Sequence, residues 1–119
     1  MANTERRRSP RIRDEGLDFD VKGDGLAFVA HTLNISESGI YCKVERELPL
    51  MSRVELRLKI PAGEDAKGTD IVNVCGVVVR QHPVIIDGET KHYDVAIFFD
   101  DLSEKGRNLI SRYITNKKL

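Results

Sequence analysis

Residues 53–60, Arg-Val-Glu-Leu-Arg-Leu-Lys-Ile, alternate charged and aliphatic side chains without a break. Successive side chains of a strand point to opposite faces, so Val54, Leu56, Leu58 and Ile60 share a dry face and Arg53, Glu55, Arg57 and Lys59 a wet one. A helical period cannot produce that division. Such a strand needs neighbours to pair its backbone and a core to cover its dry face, and the rest of the chain must provide both.

The flanking segments have the same character. Leu17, Phe19 and Val21 alternate with Asp18, Asp20 and Lys22, and Gly23-Asp24-Gly25 then predicts a hairpin into a second strand, Leu26 to Leu33. Asn34 to Gly39 turns the chain into a third strand, Ile40 to Val44, with Ile40, Cys42 and Val44 on one side. Pro61 ends the Val54 strand, and residues 61–68 have loop composition. The valine-rich run Ile71 to Arg80 predicts a strand buried on much of both faces, resuming at Val84 to Ile86 after a bulge or bend at Pro83. Asp87-Gly88 predicts a hairpin into Tyr93, Val95, Ile97 and Phe99.

About six strands joined largely by short turns leave exposed edges unless the sheet closes. The predicted fold is therefore all-β, a six-stranded antiparallel β-barrel with one C-terminal α-helix. Ser103 is the expected N-cap of that helix; Leu109, Ile110, Tyr113 and Ile114 form its apolar stripe, and Lys117 and Lys118 suit its negative end. The length of 119 residues fits a single domain. Its expected parts are an arginine-rich flexible arm at 1–13, the barrel at 14–100 and the helix at 101–119.

Lysine plus arginine equals aspartate plus glutamate, 19 each, which argues against a general nucleic-acid binder. A charged N-terminus and the absence of any apolar run near 18 residues predict a cytoplasmic protein without membrane insertion. Cys42 and Cys75 have no metal-ligand spacing and are expected to be buried free thiols. His31, His82 and His92 show no ligand spacing either, and no nucleophile elbow, zinc-protease or phosphate-loop motif occurs. The expectation is a non-enzymatic protein without metal or cofactor.

Two stretches carry the functional signal. Residues 6–13, Arg-Arg-Arg-Ser-Pro-Arg-Ile-Arg, place five arginines within eight residues of a chain with no net charge. A guanidinium grips a phosphate or the O6/N7 edge of guanine with two parallel bonds and stacks on purines. The second stretch, Asn34-Ile35-Ser36-Glu37-Ser38-Gly39, has the composition of a tight turn.

Together they resemble the ligand signature of the PilZ domain family, RxxxR followed beyond two strands by (D/N)xSxxG. Arg7-Arg8-Ser9-Pro10-Arg11 matches the first element and Asn34 to Gly39 the second. The strand-then-helix ending of residues 93–114 is similar as well. The resemblance implies a barrel that binds the bacterial second messenger cyclic di-GMP, with Arg7 and Arg11 gripping guanine edges and phosphates, Asn34, Ser36 and Gly39 lining the barrel side, and Arg6 assisting. It further implies an arm that orders on binding and signals to an effector protein in motility or biofilm regulation, in a monomer or weak dimer. The alternative is a PilZ-like protein-interaction module that binds no nucleotide. Ala96 departs from the glycine common in relatives, at a position outside both ligand motifs, so the departure bears little on the binding that the resemblance implies.

Overall fold

The alternating run becomes a strand on the predicted phase in the computed structural model, which describes residues 11–13, 17–23, 25–61 and 68–118. This strand, β5 (Arg53–Pro61), buries Val54, Leu56, Leu58 and Ile60 and exposes the residues between them. Around it are β1 (Arg11–Arg13), β2 (Asp18–Gly23), β3 (Leu26–Ser36), β4 (Gly39–Val44), β6 (Thr69–Ile86), β7 (Glu89–Asp101) and the helix α1 (Glu104–Lys118).

The ladder runs β3-β2-β5-β6-β7-β4, and β4 pairs back onto β3, closing a six-stranded antiparallel barrel. Closure satisfies the strand edges that an open sheet would leave bare. Its interior is aliphatic: Phe19, Val21, Leu58, Val78, Val95 and Ile97 are each at most 1% exposed. Burying one such side chain contributes roughly 1.5–3 kcal/mol, so the alternation in sequence is itself the main term holding each strand in phase.

The seventh strand was not expected. Arg11–Arg13 pairs with Asn34–Ser36 of β3, so β1 and β2 lie end to end along one edge of β3 while β4 holds the other. The predicted arm of residues 1–13 thus ends in a ladder; residues 1–10 lie outside the described residues. Three residues are too short to show a period in sequence, and the pairing edge of β3 supplies the order instead.

Two other expectations are revised. β6 is a single strand running through Pro83, with register shifts between Cys75 and Gly76, Val78 and Arg80, and Val84 and Ile85. Pro83 is tolerated because β5 stops pairing at Val77, leaving one edge of β6 with no strand to serve. The outer face of β6 is also wetter than its valine content predicts, with Ile71 and Val79 exposed. The Asp87-Gly88 turn forms as expected, both residues at positive φ (53° and 81°), as a two-residue hairpin of matching twist requires.

The Ser103 hydroxyl accepts the Gly106 N–H at 3.0 Å, giving α1 the predicted N-cap. Ile110, Tyr113 and Ile114 are buried on the barrel, and α1 packs against β6, β5, β3 and the short β1. No helix among the described residues is long and apolar enough to cross a membrane.

Candidate functional site

The stretch Asn34–Gly39 is mostly strand. β3 continues through Ser36 and β4 starts at Gly39, so the turn consists of Glu37 and Ser38 alone. A register shift between Thr32 and Asn34 changes the phase of β3, leaving Thr32 fully buried and Asn34 half-buried opposite Tyr41.

Ser36, 1% exposed, spends its hydroxyl on the turn. Its Oγ lies 3.0 Å from Ser38 Oγ, accepts the Ser38 N–H at 3.2 Å and reaches the Gly39 carbonyl at 3.5 Å. The Ser38 carbonyl in turn accepts the Phe99 N–H at 2.9 Å, tying the turn to β7.

Gly39 is not required for positive φ. The glycines in that region among the described residues are Gly25, Gly68 and Gly88. A Cβ on Gly39 would instead lie 2.5 Å from the Ile97 carbonyl oxygen, closer than real atoms approach. The glycine therefore lets β4 close against β7, and the space of its missing side chain is taken by the neighbouring strand.

The ladder brings the last residue of the first motif to the second. Arg11 sits opposite Ser36, Ile12 opposite Ile35 and Arg13 opposite Asn34. The backbone of Arg11 is thereby a direct neighbour of the second motif, although the two are separated by a complete hairpin in sequence. Arg6 and Arg7 lie outside the described residues.

On the outer wall beside Asn34 and Gly39 is a shallow depression of about 300 Å³, whose other walls include Tyr41, Arg80, Ala96 and Phe98. None of these four was singled out as a ligand residue by motif. Ala96, outside both motifs in sequence, belongs to the floor of this depression: β7 pairs with β4, and Ala96 faces Tyr41 directly. Phe98, paired with Gly39 on one side and Val77 on the other, is 53% exposed, a large aromatic surface on the outer face of β7.

Burial first, and the nearby Asp94 carboxylate second, push the Tyr41 phenol above its usual pKa, while the Arg80 guanidinium opposes them. Tyr41 therefore keeps its proton at neutral pH and remains a donor. Cys42, on the inner side of the same strand, is buried, whereas Cys75 is half-exposed on the outer face of β6, so only one of the two thiols is in the core. Among the described residues no group of three histidine, cysteine or acidic side chains could hold a metal ion.

A family model described as the PilZ domain matches residues 5–116. No curated protein matches the chain. Among solved structures, the Bacillus subtilis inhibitor of motility MotI/DgrA is similar with a TM-score of 0.78 and 16% identity, over 95% of this chain and 51% of that one. The K. pneumonia MrkH complex with c-di-GMP gives 0.66 and 19%, over 95% and 52%. The PilZ domain of YcgR from Escherichia coli with c-di-GMP gives 0.68 and 18%, over 95% and 92%. The chain spans about half the length of MotI and MrkH and nearly all of the YcgR domain, and at these identities the likeness is one of fold.

Proposed function

The chain belongs to the PilZ domain family, and on that footing we propose that it is a second-messenger receptor, not an enzyme, whose ligand is cyclic di-GMP. The observation that carries this reading is the β1–β3 register, which lays the end of the arginine-rich arm along the strand bearing Asn34 and Ser36. A guanidinium donor set and a polar strand edge then face one ligand from two sides.

The depression beside Asn34 is shallow, at the lower end of the ~300–1,000 Å³ usual for small-molecule sites, and would cover one side of a dinucleotide. The remaining enclosure comes from the arm. Arg7 and Arg11 grip guanine edges and phosphates with paired N–H donors, and Arg6 adds charge. Asn34 offers donor and acceptor to the guanine or the ribose-phosphate ring. Ser36 acts through the turn it braces, and Gly39 by letting β4 and β7 close into a continuous floor.

Binding orders the arm across the barrel, and the surface so formed engages an effector protein. Titration calorimetry with Arg7→Ala and Arg11→Ala tests the assignment. Losing a charge-assisted, bidentate contact is worth roughly 1.5–3 kcal/mol, so each variant should bind cyclic di-GMP at least about tenfold more weakly. Undiminished affinity in both would sink the assigned roles, and a wild-type protein that ignores cyclic di-GMP at micromolar concentration would sink the receptor reading.

A further inference from the structure

Val72, Val74 and Val78 of β6 point into the barrel, as does the buried Gly76. Continued alternation would send Arg80 inside as well, where an unpaired guanidinium is costly. The strand avoids this with a bulge: Val78 faces Ile97 and Arg80 faces the adjacent Ala96, leaving Val79 as the inserted residue. Val79 and Arg80 are consequently both exposed. Gln81 takes the inward phase, and its Oε1 accepts the Leu48 N–H at 2.5 Å, which pins the shifted register.

The shift delivers Arg80 to one end of a row of cross-strand neighbours, Arg80–Ala96–Tyr41–Asn34, on β6, β7, β4 and β3. Three strand spacings separate its ends by about 14 Å. Among the described residues Arg80 makes no ion pair. Between the ends, Ala96 adds only a methyl group to the floor and Tyr41 a phenolic donor. The row is thus a track with a guanidinium at one end and an amide at the other, longer than a single nucleotide needs.

We propose that Arg80 is a ligand-binding residue of this site, gripping the base or phosphate in the half of a cyclic dinucleotide farther from Asn34, and that it makes the site select a dinucleotide over a guanosine mononucleotide. This rests on the cyclic di-GMP reading above and extends it to a residue outside both motifs. The bulge at Val79 is the device that places it. A β6 strand in unbroken phase would have no cation at this end of the track.

Calorimetry on the full chain tests the inference, with wild type, Arg80→Ala and Arg80→Lys each titrated with cyclic di-GMP and with GMP. Arg80→Ala should weaken cyclic di-GMP binding about 10- to 100-fold, as expected for a charged contact, and leave GMP affinity within about twofold. Arg80→Lys should recover only part of the loss, because an ammonium keeps the charge without the fork. Equal cyclic di-GMP affinity in wild type and Arg80→Ala overturns the inference while leaving the receptor reading intact. An equal loss for both ligands overturns the assignment to the far half. A wild type that binds no cyclic di-GMP removes the receptor reading itself, and this inference with it.

Discussion

The barrel wall has two outer faces that use similar strands to different ends. Over β2, β5 and β6 lies a concavity of about 630 Å³, twice the size of the depression beside Asn34. Its charges answer one another across the ladder: Asp20 stands opposite Arg57, and Lys22 opposite Glu55. The smaller depression is floored by the row Arg80–Ala96–Tyr41–Asn34, which has one full charge at its end and no carboxylate in line. Opposite charges in register neutralise a sheet surface and leave little for an anion to gain. The face that resembles a binding site by volume pairs each of its cations with a carboxylate and adds Asp101, so it has no cation to spare for an anion, whereas the face beside Asn34 and Gly39 has one.

The sharpest way to break this difference is to open the motif face at its seam. Gly39→Val places a branched side chain where even a Cβ meets the Ile97 carbonyl at 2.5 Å. The backbone of β7 cannot move aside as a flexible side chain would, so the expected cost is about 3 kcal/mol or more of folding stability, with the β3–β4–β7 side of the barrel yielding first. Urea unfolding measures it. A loss below about 1 kcal/mol would show that β4 and β7 do not need this close approach.

How much of this was visible beforehand depends on which force sets each feature. Alternation in Val54–Ile60 and in Leu17–Val21 marks strands because burial in a closed barrel repeats every second residue. The paired motifs were legible from residue type and order. Ala96 was not, because its place beside Tyr41 exists only once β7 pairs with β4. The bulge at Val79 was hidden by Val77, Val78 and Val79, which look apolar on either phase. Its one trace is Arg80 itself, a charge standing on the phase of Val74 and Val78. Likewise Arg11–Arg13 becomes a strand through the edge it joins, not through any pattern of its own.

The inner side of the motif face offers a subtler test. Cys42 lies behind Tyr41 in β4, and burial first, then the Asp94 charge, push its thiol from 9.0 up to about 12. In the unfolded chain the thiol ionises near its ordinary value, while in the barrel it stays neutral. Its contribution is therefore complete below about pH 9 and is lost as pH rises from there towards about 12, at about 1.4 kcal/mol per unit. Cys42→Ala lacks this dependence. The stability gap between wild type and Cys42→Ala should thus shrink by about 1.4 kcal/mol between pH 8 and pH 10, read from urea midpoints. A gap that stays constant would mean that the wall beneath the motif face is wet.

The smallest effect is expected on the opposite face, and its smallness is the point. Arg57 is exposed and Asp20 half-buried; they face each other in register, and no direct ion pair joins them among the described residues. Water screens such a pair, and holding two long side chains together costs entropy, so a double-mutant cycle of Asp20→Asn and Arg57→Gln should give a coupling of a few tenths of a kcal/mol. Cyclic di-GMP affinity should remain within about twofold in both single variants, since removing one charge from either side disturbs only a locally balanced surface. If Arg57→Gln instead weakened the ligand as strongly as Arg80→Ala, the larger concavity would be the one that binds. Cross-strand charge balance would then have no value as a guide to which face of a closed barrel is free to bind an anion.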